Sequence, residues 1–440
     1  PLTLILNFTF PLLLGNLLQQ TYSLVDAVIV GRFLGIDALA SVGASTSVVF
    51  LILGFCNGCC GGFGIPVAQK FGARDYAEMR RYVHVSLRLA AVMSIALAVV
   101  TSLLCGAILR IMQTPETIFS GAYAYLLVTF IGIPCTFYYN LLACVIRALG
   151  DSRTPFWFLL FSTVLNIVLD LILIFGWLGL PKMGVTGAAV ATVIGQFASF
   201  GVGILFNRFK NPEIKLQLRG FRPSGAIIGK IYSVGVPSII MASISSVMTF
   251  GMNKILIAFS STAAAVFGVY FKLQSFVFMP VFGMNNGIVP IISYNYGAKK
   301  KKRILGTIKL AVLFAVCIMA AGTILFQCFP RQLLSLFSAS EHMMSMGVPA
   351  LRIISIHFII AAYGIVISSV FQALGDGMPS LIMSVSRQLV VLLPAAWLLS
   401  LTGEVNNIWW AFLIAEFVSA ALCTIFFIRD YNRKLKHLGE

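Results

Sequence analysis

Charge is scarce in this chain. Asp, Glu, Lys and Arg together make up 10% of 440 residues, only 14 of those being acids, and there are four His. An ordinary soluble domain carries about 25% charged residues. With 59% of the chain hydrophobic and a mean hydropathy of +0.96, the shortage excludes a soluble protein and implies an all-α integral membrane protein. Long polar connections are missing too: once the twelve apolar stretches given below, each more than the roughly 20 residues a span needs, are subtracted, about 10 residues remain per loop, too few for a soluble catalytic domain. The nine Cys show no metal-ligand spacing. Cys56, Cys59 and Cys60 lie in a Gly-rich apolar run without a nearby His, and Cys105, Cys135, Cys144 and Cys423 fall inside apolar stretches, so they read as small hydrophobes. The run Gly58 to Gly64 lacks the Lys-Ser/Thr ending and the preceding strand of a phosphate loop; it suits close helix packing. No nucleophile with its base and no paired metal ligands converge, so nothing points to an enzyme.

What the chain has in quantity is apolar stretches. Twelve spans are expected, at 5–31, 38–66, 83–110, 119–145, 156–180, 184–207, 230–257, 263–292, 304–329, 346–372, 379–401 and 406–429. The first is too long and too rich in internal polar residues for a cleaved signal peptide. A net charge of +17 raises the question of nucleic acid, but the cations sit in alternate loops. Lys70, Arg74, Arg80 and Arg81 follow span 2, and Arg208, Lys210, Lys215, Arg219, Arg222 and Lys230 follow span 6. The run Lys299 to Arg303 follows span 8, and Arg429, Arg433, Lys434 and Lys436 close the chain. The opposite loops offer little beyond Arg32, Arg110, Lys182 and Arg331. Membrane orientation accounts for this asymmetry: both termini and the 208–230 loop are expected in the cytoplasm of a multi-pass cell-membrane protein, with no nucleic-acid partner.

The two halves repeat. Pro11 meets Pro237, Gly72-Ala73-Arg74 meets Gly297-Ala298-Lys299, and Ala148-Leu149-Gly150-Asp151 meets Ala373-Leu374-Gly375-Asp376, all at an offset of 225 or 226. Six spans per half make the copies parallel, an arrangement transporters use to rock two bundles around a central cavity. The expected organisation is an N-terminal six-helix lobe at 1–210, a cytoplasmic linker at 211–229, and a C-terminal six-helix lobe with a basic tail at 230–440.

Ionisable groups within spans are costly and usually face a cavity or a partner. Asp26 in span 1 shares a stripe with Tyr22 and Gln19, and Asp170 in span 5 lies one turn beyond Asn166, so two acid-bearing faces can converge on one polar pocket. Asn140 is a further amide within a span. The repeat places Met252, Ala395, Ile365 and Val391 opposite Asp26, Asp170, Asn140 and Asn166, so the polar site has no C-terminal twin; a feature kept for packing symmetry should recur. The C-terminal half carries Lys254, Lys272, Arg352, Arg387, His357 and Glu416 instead. Helical rise puts Arg387 and Glu416 at compatible depths for an ion pair. Lys254 and Lys272 either line a cavity or snorkel, and Arg352 is expected to snorkel. Pro11 and Pro237 lie inside spans, where the missing N–H permits a bend.

Taken together, the Pro11 to Gly35 stretch with Gln19, Tyr22 and Asp26, the paired Gly-Ala-Arg/Lys loops, the paired Ala-Leu-Gly-Asp turns, and Asn166 to Asp170 followed by Gly187 to Thr192 resemble the multidrug and toxic compound extrusion family, particularly its DinF-like branch. The likeness covers nearly the whole chain. It implies twelve helices in two lobes, no cofactor, and export of amphipathic organic compounds by a monomer coupled to inward H⁺ or Na⁺. It further implies a cation site of Asp26, Asn166, Asp170, Thr192 and Asn140, with Asp26 and Asp170 the ligands if the ion is Na⁺. Gln19, Tyr22, Tyr125, Lys254 and Lys272 would line the substrate cavity, and Pro11 would mark the bend of span 1. The NorM-like branch has acids in spans 7 and 10, where this chain has Lys254 and His357; that departure argues against a C-lobe cation site. A lipid-linked sugar flippase of the same superfamily is the alternative.

Overall fold

The computed structural model describes residues 2–211, 214 and 222–439, so the linker residues Lys215 and Arg219 lie outside it. Helices account for nearly all of the described residues, and no strand occurs among them. Ten helices are long and apolar enough to cross a membrane: Leu2–Leu34, Ile36–Gly72, Tyr76–Leu103, Arg153–Phe175, Val185–Lys210, Gly225–Ile257, Ser261–Gly297, Lys301–Cys328, Gly377–Ser400 and Val405–Leu435. These realise spans 1, 2, 3, 5, 6, 7, 8, 9, 11 and 12. Spans 4 and 10 are bent pairs, Glu116–Ile131 with Ile133–Ala148 at 48° and Glu341–Ser355 with Phe358–Ala373 at 50°. The first break falls at Gly132, with Pro134 in the first turn of the helix that follows; the second falls at Ile356-His357, without a proline. Span 1, by contrast, runs as one helix through Pro11. Span 5 stops at Phe175 rather than 180 because Gly176 adopts φ 72°, a left-handed C-terminal cap, and is followed by the short Trp177–Gly179 turn. Span 3 ends at Leu103, with a separate helix Cys105–Ile111 completing the stretch expected to reach 110.

Two compact units emerge, Phe10–Tyr232 and Ser233–Glu440 with Pro1–Thr9. The divide cuts spans 1 and 7 themselves, just ahead of Pro11 and Pro237. In the second unit a continuous apolar core gathers Phe267, Tyr270, Phe326, Phe358, Phe371 and Trp409, and Met252, the counterpart of Asp26, is fully buried in it. Large apolar side chains such as Leu4, Phe10, Leu17, Phe50, Phe197 and Phe276 are exposed, as a lipid-facing surface requires.

The repeat extends to the backbone. Arg74 and Lys299 take the left-handed conformation at φ 58° and 57°, each donating its N–H to the carbonyl three residues back, Phe71 and Tyr296, at 3.1 Å. Gly150 and Gly375, at φ 89° and 78°, close the Ala-Leu-Gly-Asp turns, where a side chain would be strained. In both turns the aspartate meets a lysine at the end of the last span of its own half: Asp151 with Lys210 at 3.1 Å and Asp376 with Lys434 at 3.4 Å. Asp151 also accepts from the N–H groups of Arg153 and Thr154 at 3.0 Å, satisfying free donors at the start of span 5. Burial works against its ionised form, but the Thr154 hydroxyl and N–H and the Lys210 ammonium outweigh it and hold the carboxyl below the usual carboxylate range. A carboxyl depressed in the folded state stabilises fully above its unfolded value of about 3.9, and that contribution is lost as pH falls through the lower folded value. Asp151→Ala should therefore lower stability by about 1 kcal/mol near neutral pH, with the gap from wild type closing on acidification. Thermal melts in detergent across pH measure both.

Candidate cation site in the N-terminal unit

Spans 1, 5 and 6 converge on one polar group. Spans 5 and 6 approach closely because span 6 carries glycine where they touch: a Cβ on Gly187 would stand 3.0 Å from the Leu173 carbonyl carbon, and one on Gly195 would stand 3.2 Å from the Ser162 carbonyl oxygen. Between these two positions Thr192 is brought against Asn166. The hydrogen-bonding pattern orients the Asn166 amide with its nitrogen donating to Asp170 Oδ2 at 2.9 Å and its oxygen accepting from the Thr192 N–H at 2.8 Å. Thr192 Oγ1 donates to the Ala188 carbonyl at 3.1 Å, and Tyr22 Oη from span 1 lies 3.0 Å from the same hydroxyl. One turn further along span 1, the Asp26 carboxyl is in hydrogen-bonding contact with that of Asp170. Asp170 is completely buried and Asn166 nearly so.

Two carboxyls in mutual contact away from water cannot both stay ionised without something between them. The Oδ1 atoms of both Asp26 and Asp170 are buried with no protein donor among the described residues. Such a group is chemically able to take a proton shared between the acids, or a cation between the carboxylates with the Tyr22, Thr192 and Asn166 oxygens close by. Na⁺ takes hard oxygen donors of this kind, as other hard cations do. No cluster of three or more His, Cys, Asp or Glu suited to a metal occurs among the described residues.

The other sequence-derived candidates fall into distinct places. The Tyr125 phenol is within electrostatic reach of both acids and packs on the small apolar cluster of Ile29, Val30, Ala38, Ile174 and Ala188. Asn140 instead donates to the Thr136 carbonyl of its own helix at 2.8 Å. Thr136 is hydrogen-bonded to Gln196 of span 6, a pair that sequence reasoning missed and that only the span 4 to span 6 packing reveals. Gln19 is exposed. In the C-terminal unit Lys254 and Lys272 are exposed, Lys254 standing 5.3 Å over the Phe250 ring. Arg387 meets Glu416 at 3.3 Å, the pairing that depth along the helices leads one to expect.

The MatE family model matches twice, over residues 11–172 and 237–398, an offset of 226 that agrees within one residue with the internal repeat. The chain is 30% identical over 420 residues, 94% of its length, to the probable multidrug resistance protein YoeA of Bacillus subtilis strain 168, covering 91% of that protein. It is 27% identical over 97% of its length to the multidrug export protein MepA of Staphylococcus saprophyticus, covering 93% of it. Its fold superposes on a crystal structure of a MATE protein in the bent conformation with a TM-score of 0.90 at 24% identity, over 98% of this chain and 96% of that one. A transporter of the MOP superfamily from Pyrococcus furiosus, described as having a binding pocket of reverse polarity, gives 0.87 at 25% identity over 97% and 95%. Two family matches, twelve apolar spans and a paired-acid site lead to one assignment: the chain belongs to the MatE family, the multidrug and toxic compound extrusion transporters, and is a membrane carrier, not an enzyme.

Proposed function

We propose that this protein exports amphipathic small molecules from the cell by antiport against inward H⁺ or Na⁺, with Asp26 and Asp170 as the coupling site. The observation that carries the reading is the mutual contact of a half-buried carboxyl from span 1 and a fully buried one from span 5. A cation that binds one conformation more tightly than the other can drive a change of state; one that binds both equally shifts nothing. Span 1 is suited to respond, because it carries both Asp26 and Pro11, fifteen residues apart or about 22 Å along the helix. Neutralising the acid pair would favour a bend at Pro11, releasing substrate outward. The relatives named above, a multidrug resistance protein and a multidrug export protein, support the export reading, whereas the flippase alternative draws nothing from them. The alternation of cations between loops supports cytoplasmic termini. A monomer suffices, because the whole acid pair comes from one chain.

The test is reconstitution in liposomes with pH and Na⁺ gradients imposed separately while a panel of fluorescent cations and anions is followed. Export should follow one or both gradients and stop when the gradient is collapsed. Movement that ignores both gradients would contradict antiport.

A further inference from the structure

The C-terminal unit contains a second buried ionisable cluster that the coupling site does not use. Glu416 of span 12, nearly inaccessible, is faced by Arg387 from span 11, Tyr270 from span 8 and His357 from span 10, with Cys423 below it on its own helix. The backbone is irregular at two of these positions. Arg387 sits in a π-helical stretch, Ser386–Leu392, and His357 sits in the 50° break of span 10, its ring stacked on Phe412 at 5.7 Å between centroids. π-helical insertions and mid-span breaks are concentrated at functional sites.

The Arg387–Glu416 contact is poorly built for a purely structural pair. A guanidinium offers five N–H donors in a fork matched to two carboxylate oxygens, yet here a single Nη1 donates to a single Oε1 at 3.3 Å. Arg387 also lies about 15 Å into span 11, and its side chain is 27% exposed while that of Glu416 is 6% exposed. An arginine at that depth opens onto water, not hydrocarbon. Its unused donors therefore face accessible space, with Glu416 behind it. The Tyr270 hydroxyl, completely buried and within electrostatic reach of both, has no protein partner among the described residues.

We propose that Arg387 is the recognition group for a carboxylate on the transported molecule, and that Glu416 is its internal stand-in. The substrate carboxylate forms a paired contact with the guanidinium, the Arg387–Glu416 contact breaks, and Glu416 takes one proton from water. The cluster then holds the same net charge as before, and the unpartnered Tyr270 hydroxyl is free to turn to the protonated Glu416. Anionic substrate and proton bind and leave together at this site, so the inward drive falls to Na⁺, or to more than one proton, at the Asp26–Asp170 pair. The inference deepens the exporter reading and rests on it, but binding without a gradient tests it separately from coupling at Asp26 and Asp170.

The experiment is calorimetric titration of the detergent-solubilised full chain with an aromatic monocarboxylate dye and with its methyl ester, in two buffers of different ionisation enthalpy. Wild type should bind the acid at least tenfold more tightly than the ester, with uptake of about one proton. Glu416→Gln should bind the acid more tightly still, with no proton uptake. Arg387→Gln should remove the preference, and Arg387→Lys should restore part of it. Equal binding of acid and ester by wild type would overturn the proposal. So would an Arg387→Gln variant that loses both ligands equally without rescue by lysine, the pattern of a structural role.

Discussion

In liposomes energised by a pH or Na⁺ gradient, Asp26→Asn is expected to reduce export to the level of protein-free vesicles while the purified variant keeps its helical content and melting behaviour. The amide conserves shape and hydrogen-bonding capacity but removes the charge, so Asp170 no longer shares its pocket with a second carboxyl. With one acid the pocket has lost the repulsion that makes proton or cation binding energetically large. Asp170→Asn should behave alike in transport. It carries an added structural cost, because Asp170 accepts the Asn166 amide at 2.9 Å in a fully buried setting. Substitution of Met252 or Ala395, the apolar counterparts in the second half, should leave the ion dependence untouched. Export by Asp26→Asn that still responds fully to the gradient would remove Asp26 from the coupling site.

Gly187→Leu should cause the largest loss of any substitution of an apolar-face residue in the first unit, abolishing transport and costing stability on the order of 1–3 kcal/mol. What a side chain at 187 meets is the Leu173 carbonyl group and the Ile174 nitrogen, backbone atoms at 3.0–3.2 Å that have no rotamer to escape into. Spans 5 and 6 must then part, and the Thr192 contacts to Asn166 and Tyr22, all near 3 Å, are the first to open. Gly195→Ala, whose Cβ lies 3.2 Å from the Ser162 carbonyl oxygen and 3.6 Å from Asn166 Cβ, should show a smaller version of the same defect. Melting temperature and export measured on both variants test the ordering; a Gly187→Leu protein with normal transport would show that the close approach is dispensable.

These two residue classes differ in how far a sequence reveals them. Asp26, Asp170 and Asn166 stand out because a carboxyl or amide inside an apolar helix is expensive and needs a reason. Thr192 does not stand out by its chemistry, since a threonine is nearly neutral in a span and commonly bonds its own helix; the family resemblance points to it, and the approach of span 5 gives it contacts. The glycines at 187 and 195 are legible as small residues, but which neighbour they admit depends on tertiary packing. The same divide holds for the bends. Proline is the obvious breaker and Pro134 follows the break at Gly132, yet span 1 continues through Pro11 and the break at Ile356-His357 comes without a proline at the hinge. The Arg387–Glu416 pairing was accessible from helical rise alone. By contrast the Asp151–Lys210 and Asp376–Lys434 clasps were not, because each joins residues about 60 positions apart whose only shared feature is that the turn and the last span end on the same side.

The most direct measurement is of cation binding itself: equilibrium binding of Na⁺ and of protons to the purified chain without any gradient, comparing wild type with the Asp26→Asn, Asp170→Asn double variant. If the acid pair is the coupling site, wild type binds one cation that the double variant does not, and proton and Na⁺ compete for it. Equal cation binding by the two proteins would place the coupling ion elsewhere and contradict the assignment.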